Sequence, residues 1–341
     1  MKKRRTIATI CQFGGSHGWG HLTRSSALMS EARKQGWKTS LWTPSDCDGL
    51  TKSQRQPFDD IRRLNRYGFD EMKERSFATD VVFVDDMDSS DSFFDDARFY
   101  VDGVGAKLVA MDDLGIRSMK AVDLTVNTEL GLSNSDYRST ETALGEKYCL
   151  LRSGFRNAEK RSWPLNTDAV PVLMMIGGTD PGSLGISALE ALEKLSSSHL
   201  FAPIFISGSG KNRKELVDLL DGFPEYRLEV GVDDRTLADW IETARFGIIA
   251  CGSSMYEFGA LETPFVGLVA AENQERSARA ISNRWGLPIA RFEDGKLPLD
   301  AIAESIETLL CQLERKERFD FGEVDAFGVE RVMRRIDSLF S

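Results

Sequence analysis

The chain has 341 residues, of which 41% are hydrophobic and 28% charged, and its formal net charge is −10. The length predicts two domains, and the acidic balance argues against a general nucleic-acid binder, which would carry a basic face. No stretch approaches the ~20 apolar residues that a membrane-spanning helix needs, and five widely spaced cysteines without a C-x-x-C motif predict reduced thiols in a cytoplasmic protein.

Short apolar runs alternate with amphipathic segments through the first half of the chain. Residues 21–35 predict a helix, and Gly36 stands where a C-terminal capping glycine is expected. Alternation of this kind predicts a parallel sheet covered by helices on both faces. The predicted strands of this half are 6–13, 38–44, 80–86, 106–113 and 121–129.

A polar segment with two prolines, residues 155–171, predicts a linker, after which the alternation starts again. The predicted strands there are 170–178, 202–210, 226–232, 246–252 and 264–270, and the helices are 183–197, 211–223, 234–244 and 254–263. We therefore predict an α/β protein with two doubly wound, Rossmann-like domains, 1–157 and 168–320, facing a central cleft. A C-terminal helix within 321–341 could pack back on the first domain.

The stretch "GGSHGWGHLTRSSALM", residues 14–29, joins the first strand to the first helix through glycines. It is neither the G-x-G-x-x-G fingerprint, because Thr23 stands at the last required position, nor a Walker A loop. His21 falls at the start of the helix, where the helix dipole disfavours imidazolium. A neutral imidazole there could take a proton from water or a hydroxyl, and the alternative is a histidine bonded to backbone in a tight turn.

Two junctions in the second half suggest nucleotide binding. Gly177, Gly178 and Thr179 could offer backbone N–H groups and a hydroxyl to phosphate oxygens, although an ordinary Asp-Pro-Gly turn gives the same pattern. Glu257 is expected in the first turn of a helix, where its carboxylate could accept the hydrogen bonds of a ribose diol. The alternative for Glu257 is an acid that simply stabilises that turn.

Acidic residues follow two of the predicted strands. Asp86 and Asp88 resemble a D-x-D metal motif, but we favour a strand-end aspartate followed by a solvated acidic loop within 84–96. Asp112 and Asp113 also end a strand, where one is expected to face the cleft and the other to cap the next element.

Taken in order, these junctions resemble those of a known family. The segment "GWGHLTRSSALM" resembles the G-x-G-H-x-x-R-x-x-x-L signature of PseG, the UDP-sugar hydrolase of pseudaminic acid biosynthesis, which SpsG-type polysaccharide proteins share. The segments "VFVDD", "LVAMDD", "DLTVN", "YCLLRSGF", "MMIGGTDP", "GSSMYEFGAL" and "ENQ" follow in the family's order, and "DAFGVERV" resembles its C-terminal motif. The resemblance spans nearly the whole chain and implies the GT-B fold, as in the related glycosyltransferase MurG.

The resemblance also implies a site and a reaction. His21 would activate water for attack on the anomeric carbon of a UDP-sugar, and UDP would leave with inversion, its charge met by backbone amides rather than by a metal or cofactor. The residues implied to bind the sugar side are Gly18, Gly20, Arg24, Asp85, Asp113, Asn127 and Arg152, and Asn273 and Gln274 would face the sugar or the diphosphate. Those implied to bind the nucleotide are Gly177, Gly178, Thr179, Ser253, Ser254 and Glu257.

The chain departs from the family pattern around the sugar. Met87 stands where PseG proteins usually have a tyrosine, Gly154 stands where they have a glutamate, and "GGSH" lengthens the glycine-rich entry. Two alternatives to a hydrolase therefore stay open. One is an inverting glycosyltransferase in which the same base deprotonates an acceptor hydroxyl, and the other is a nucleotide-sugar-binding protein without catalysis.

Overall fold

The structure, a computed structural model, describes residues 4–74, 79–86, 89–113, 115–157, 163–165, 168–177, 184–207, 213–269, 274–291 and 297–341. Its strands are β1 Thr6–Cys11, β2 Lys38–Thr43, β3 Asp60–Arg63, β4 Val81–Asp85, β5 Lys107–Met111, β6 Leu124–Asn127, β7 Glu141–Leu144, β8 Val170–Met175, β9 Phe201–Ser207, β10 Arg227–Val230, β11 Phe246–Ala250, β12 Phe265–Leu268 and β13 Ile289–Ala290. Its helices are α1 Gly20–Lys34, α2 Lys52–Arg55, α3 Asp70–Glu74, α4 Asp91–Val104, α5 Leu184–Lys194, α6 Arg213–Leu220, α7 Asp234–Thr243, α8 Ser254–Ala260, α9 Glu275–Trp285, α10 Leu299–Glu314 and α11 Gly328–Ser338. Within the described ranges, every helix is too short or too polar to cross a bilayer.

The chain divides into two compact units, one formed by Met1–Arg152 with Ala326–Ser341 and the other by Ser153–Asp325. The first holds a seven-stranded parallel sheet in the order β3-β2-β1-β4-β5-β6-β7, and the second a six-stranded parallel sheet in the order β10-β9-β8-β11-β12-β13. The prediction of two doubly wound α/β domains is thus confirmed. In both sheets the strand order reverses beside the first strand of the unit, the arrangement that forms binding sites at carboxyl strand ends.

The first sheet is covered on both faces, and its central strands β4 and β5 are apolar at nearly every position. Along β4, Val81 and Phe83 belong to the core cluster that includes the α1 and α11 side chains, whereas Val82 and Val84 belong to the cluster that includes α4. This alternation follows from the two-residue repeat of a strand. We call these two sides of the first sheet the α1 face and the α4 face.

Several elements of the first unit differ from the sequence predictions, which included neither α2 nor α3. Residues 84–96 are not one solvated loop, because α4 begins at Asp91 and buries Phe94 and Ala97 on the α4 face. Strands β3 and β7 at the sheet edges were not predicted, since neither carries a continuous apolar run. Gly36 does lie just beyond the end of α1, with φ at 88°, as the capping prediction required.

The second unit begins before the expected linker. Residues Ser153–Asn157, which the sequence analysis placed in the first domain, form a short 3-10 turn that groups with the second unit. Gly154 fits closely there, because an added Cβ would lie 2.8 Å from backbone and Cβ atoms of Asp234 at the start of α7. The glycine that replaces the family's glutamate therefore serves packing within this unit.

The C-terminal helix α11 completes the core of the first unit. Val329, Val332, Met333 and Ile336 are buried in the α1-face cluster. The helix approaches the chain so closely at its first residue that a Cβ on Gly328 would lie 2.0 Å from the carbonyl oxygen of Cys149. Only glycine permits this contact without moving the backbone.

This contact predicts a large effect of Gly328→Ala on stability. The added methyl meets backbone atoms that cannot rotate away, so we expect the free energy of unfolding to fall by about 1–3 kcal/mol. Gly103→Ala is the matched control, because Gly103 also lies in a helix and an added Cβ there meets nothing within 4 Å. Urea unfolding should show Gly103→Ala neutral or up to about 1 kcal/mol more stable, and equal losses in both variants would contradict the prediction.

Candidate active site

A glycine-rich loop sets the position at which α1 begins. The N–H of Gly14 donates to the carbonyl of Gly18 at 2.7 Å, and the φ angles of these two residues, 76° and 65°, are readily accessible only to glycine. Phe13 and Trp19 pack against each other across the loop, with ring centroids 5.6 Å apart. Gly20 is therefore fixed as the first helical residue, which places His21 in the first turn of α1.

The spacing along α1 brings three polar side chains to one side of the helix. His21, Arg24 and Ser25 are separated by three and four residues, so they lie on the same face. That face packs on the sheet beside the carboxyl ends of β1 and β4. There the hydroxyl of Thr9 donates to Ser25 at 3.0 Å, and the hydroxyl of Ser25 donates to Asp85 at 3.2 Å.

Asp85 is the centre of this group and has no solvent exposure. Its carboxylate lies 2.8 Å from Nδ1 of His21, and it accepts from Nε of Arg24 at 2.8 Å and from a terminal nitrogen of Arg24 at 2.5 Å. Burial alone would raise the pKa of Asp85, but the charge and hydrogen bonds of Arg24, together with His21, outweigh burial and hold that pKa well below its usual 3.8. Asp85 is therefore ionised throughout the neutral range.

Arg24 joins Asp85 to a second carboxylate, Asp113. The two terminal nitrogens of Arg24 donate to the two oxygens of Asp113 at 2.7 and 2.6 Å, the forked geometry that favours arginine over lysine. Burial alone would lower the pKa of Arg24, but the carboxylates of Asp113 and Asp85 raise it well above its usual value. One guanidinium thus faces two carboxylates, and Asp113 is the more exposed of the two, at 28%.

These contacts assign the tautomer of His21. The terminal nitrogen of Arg24 that lies 3.0 Å from Nδ1 carries two hydrogens, and both have shorter acceptors, Oδ2 of Asp113 and Oδ1 of Asp85. Nδ1 of His21 must therefore carry its own hydrogen and donate it to Asp85. In the neutral ring the second nitrogen, Nε2, then holds the lone pair and can accept a proton, as a general base must.

The same residues raise the question of a metal ion. His21, Asp85 and Asp113 each offer a ligand atom, and these atoms all lie within 4.8 Å of one another. Arg24 already donates to both carboxylates, so a divalent cation would have to displace the guanidinium from its shortest hydrogen bonds. The arrangement is that of an ion-paired group in which Arg24 supplies the positive charge. Asp88 of the suggested D-x-D motif lies outside the described residues.

A second polar network lies at the same strand ends on the α4 face. Asp112 accepts from Nε of Arg117 at 2.8 Å, from the hydroxyl of Tyr137 at 2.7 Å and from the N–H of Gly115 at 3.0 Å. Burial and the carboxylate of Asp112 raise the pKa of Tyr137, so its hydroxyl stays protonated and donates. Asn127 donates to Tyr137 at 2.8 Å and is fully buried, so its side chain belongs to this network.

The structure separates the two consecutive aspartates, Asp112 and Asp113, that follow β5. Asp113 meets Arg24 on the α1 face, whereas Asp112 holds the turn at Gly115 on the α4 face. Asp85 and Asp86 divide in the same way after β4, because Asp86 accepts from Ser89 at 2.7 Å.

The predicted nucleotide-binding residues lie in the second unit. Ser253 and Ser254 follow β11, and Glu257 is in the first turn of α8 with 6% exposure. Gln274 precedes α9, and its side-chain amide nitrogen lies 4.0 Å from where a Cβ on Gly252 would stand. Ser253, Ser254 and Gln274 thus lie near the carboxyl end of β11. The small residues there leave the backbone open to a ligand.

Other predicted site residues are placed as follows. Gly177 follows β8 with φ at 83°, whereas Gly178, Thr179 and Asn273 lie outside the described residues. Arg152 is the last residue of the first unit before Ser153 and is half-buried. Sequence reasoning missed Ser25, which the four-residue spacing from His21 could have indicated. It also missed Arg117 and Tyr137, whose roles depend on contacts made only in the folded chain.

Comparison with known proteins gives two relatives in sequence. No protein-family model matches the chain. It is 23% identical over 316 residues to the spore coat polysaccharide biosynthesis protein SpsG of Bacillus subtilis, covering 91% of this chain and 88% of SpsG. It is 27% identical over 280 residues to the uncharacterized protein MJ1062 of Methanocaldococcus jannaschii, covering 79% of this chain. The chain spans only 56% of the length of MJ1062.

Solved structures give the fold. A UDP-GlcNAc 2-epimerase from Neisseria meningitidis bound to UDP-GlcNAc superposes with a TM-score of 0.65 at 10% identity, covering 98% of this chain and 100% of that chain. MurG of Acinetobacter baumannii gives 0.63 at 11% identity, with 98% and 100% covered. The chain therefore has the GT-B fold, and its sequence similarity to SpsG confirms the relationship that the motifs indicated.

The lowered pKa of Asp85 predicts a defined pH dependence of stability. A carboxyl whose folded pKa is depressed stabilises the protein fully above its unfolded pKa, near 3.8, and this contribution is lost as the pH falls through the folded value. Asp85→Asn removes one partner of a buried ion pair and should lower the free energy of unfolding at pH ~7 by about 3–5 kcal/mol.

Urea unfolding from neutral pH down to about 3 checks this expectation. The difference between the wild type and Asp85→Asn should shrink as the pH falls below 3.8. Asp102→Asn is the control, because the Arg98–Asp102 pair is exposed at Asp102 and should contribute less than about 1 kcal/mol at any pH. A constant difference between wild type and Asp85→Asn across this range would contradict the assignment.

Proposed function

We propose that this protein is an enzyme that hydrolyses a nucleotide sugar, with a UDP-sugar as the favoured substrate. The observation that carries the proposal is the His21–Asp85 pair, in which Nδ1–H donates to a buried carboxylate and Nε2 is left as a proton acceptor. A histidine oriented by a carboxylate is the arrangement that enzymes use to deprotonate water or a hydroxyl. Asp85 would hold the ring and stabilise the imidazolium that forms.

The proposed reaction is a single displacement at the anomeric carbon. Nε2 of His21 takes a proton from water as the water oxygen forms a bond to that carbon. The bond between this carbon and the diphosphate oxygen breaks, and its electron pair leaves with UDP. The products are UDP and the free sugar with inverted configuration, and the proton on His21 returns to solvent. The contribution of a positioned base of this kind is typically about 10²–10⁴-fold in rate.

The roles of the remaining predicted residues belong to the same proposal. Arg24 and Asp113, with Gly18, Gly20 and Arg152, would contact the sugar side. Glu257, supported by Ser253 and Ser254, would accept hydrogen bonds from the ribose diol.

The diphosphate would meet backbone amides and polar side chains at a second set of positions, Gly177, Gly178, Thr179, Asn273 and Gln274. Its charge would then be balanced without a metal ion. The structural relative bound to UDP-GlcNAc supports a nucleotide sugar as the ligand class. A cytoplasmic location, where nucleotide sugars are made, fits this proposal.

Glycosyl transfer is the second candidate, and one observation favours it. SpsG is described as a spore coat polysaccharide biosynthesis protein, and polysaccharide synthesis requires transfer of sugars to hydroxyl groups. The same Nε2 would then take its proton from an acceptor hydroxyl instead of water. The two candidates share the base and the leaving group, and they differ in the nucleophile.

Turnover with and without an acceptor separates these candidates. Purified protein would be mixed with UDP-, GDP- and CDP-sugars, and released nucleotide and sugar would be followed by NMR, first in buffer and then with cell extract. Release in buffer supports hydrolysis, and release only with extract supports transfer. Insensitivity of the rate to EDTA would support the role given to backbone amides.

The variant His21→Ala tests the base. We expect kcat to fall by about 10²–10⁴-fold, with the affinity for UDP unchanged, because the substitution removes the proton acceptor and leaves the second unit intact. His199→Ala, a histidine of the second unit that packs beside Phe201, is the matched control and should keep full turnover.

Two results would overturn the proposal. Full turnover by His21→Ala would exclude His21 as the base. UDP-sugar binding without nucleotide release under any condition would favour a binding protein without catalysis.

A further inference from the structure

Arg117 lies where the carboxyl ends of β4 and β5 meet, on the α4 face. Its side chain is only 8% exposed. One terminal nitrogen donates to the carbonyl of Asp86 at 2.9 Å and to the carbonyl of Ser89 at 3.2 Å. The other lies 3.4 Å from the carbonyl of Met111, and Nε donates to the carboxylate of Asp112 at 2.8 Å. A single guanidinium therefore connects the backbone after β4 to the end of β5.

The residues that Arg117 holds are the immediate neighbours of the acids in the candidate active site. Asp86 follows Asp85, and Asp112 precedes Asp113. Because side chains alternate along a strand, the side chains of Asp86 and Asp112 point to the α4 face while those of Asp85 and Asp113 point to the α1 face. Any shift of either strand end would move the carboxylate that orients His21 or the one that binds Arg24.

Arg117 is itself rigidly held. The ring of Phe94 lies 5.6 Å from the guanidinium carbon, close enough for a cation–π contact. Tyr137 and Gly115 donate to the remaining oxygen of Asp112, so both oxygens of that carboxylate are occupied. All three nitrogens of the guanidinium have acceptors within the protein, so Arg117 has no group free to contact a substrate.

We infer that Arg117 is a positioning residue, which sets the distance between the ends of β4 and β5 and thereby orients His21 through Asp85 and Arg24 through Asp113. The inference rests on the proposed function, because it assigns a role in the reaction for which His21 is the base. It extends the site to the opposite face of the sheet.

The test uses Arg117→Lys in the full chain. Lysine keeps the charge but has one nitrogen, so it cannot bind the acceptors on both strand ends. We expect kcat for the donor sugar to fall by about ten- to a hundredfold while KM changes less than about threefold, since small displacements of catalytic groups have effects of this size. In the variant with 15N-labelled histidine, the Nδ1–H resonance of His21, assigned from the His21→Ala spectrum, should shift or broaden.

Arg98→Lys is the matched control. Arg98 pairs with Asp123 at 2.9 Å, and Asp123 accepts from the N–H of Leu108, near the amino end of β5. Arg98 is thus a partly buried arginine bonded to an aspartate beside the same strand, but at the end away from His21. Its substitution should lower stability without changing kcat or the His21 resonance.

Tyr137→Phe keeps the test decisive if Arg117→Lys does not fold. It removes one hydroxyl that donates to Asp112 and preserves the ring, so the fold should persist. We expect a smaller loss of kcat in the same direction and a smaller change in the His21 resonance. A folded Arg117→Lys or Tyr137→Phe with kcat and the His21 resonance both like those of Arg98→Lys would overturn the inference.

The two proposals can fail separately. If the wild type releases no nucleotide from any donor, the proposed function fails, and the His21 resonance still decides whether Arg117 orients the ring. If the wild type is active and the resonance is unchanged in Arg117→Lys, the positioning role fails alone.

Discussion

The first unit depends on how it accommodates one buried charge. Asp85 ends a strand that is apolar at every other position, and an isolated carboxylate there would be strongly unfavourable. The positive charge of Arg24 offsets that cost. Its long side chain and forked guanidinium also bind the carboxylate of Asp113, which joins the same ion-paired group. Once the carboxylate is fixed, the only remaining direction for the Nδ1 hydrogen of His21 is toward it. The chemistry of Nε2 therefore follows from an electrostatic requirement of the core.

The paired aspartates show how a parallel sheet can serve two networks from one edge. Each Asp-Asp pair sends one side chain to either face, because the strand repeat is two residues. On the α1 face the acids act on His21 and Arg24, and on the α4 face they anchor turns and Arg117. The sheet between them is a rigid hydrogen-bonded layer, so the geometry of one network constrains the other. The candidate active-site contacts and the contacts that hold the strand ends therefore lie on opposite faces of the sheet, although they come from adjacent residues in sequence.

Sequence patterns predicted the central strands well, since buried parallel strands read as continuous apolar runs. They failed at β3, whose sequence "DIRR" is an edge strand with polar residues, and at α4, where aspartates concealed the spacing of Phe94, Ala97 and Val101. His21, Arg24 and Asp85 could be named from motifs and strand ends. The tautomer of His21 and the role of Arg117 could not, because both depend on hydrogen bonds between residues far apart in the chain.

The packing of α11 has a consequence for biosynthesis. The α1-face core is incomplete until Val329, Val332, Met333 and Ile336 are added, and these leave the ribosome only after all of Ser153–Asp325 has been made. During translation the second unit can fold as a continuous segment, while the apolar surface of the N-terminal segment that α11 covers in the finished fold stays exposed. Domains usually mature in the order of synthesis, and here the discontinuous one finishes last. The N-terminal segment therefore exposes apolar surface until α11 has been made, and transiently exposed surface of this kind is prone to aggregation.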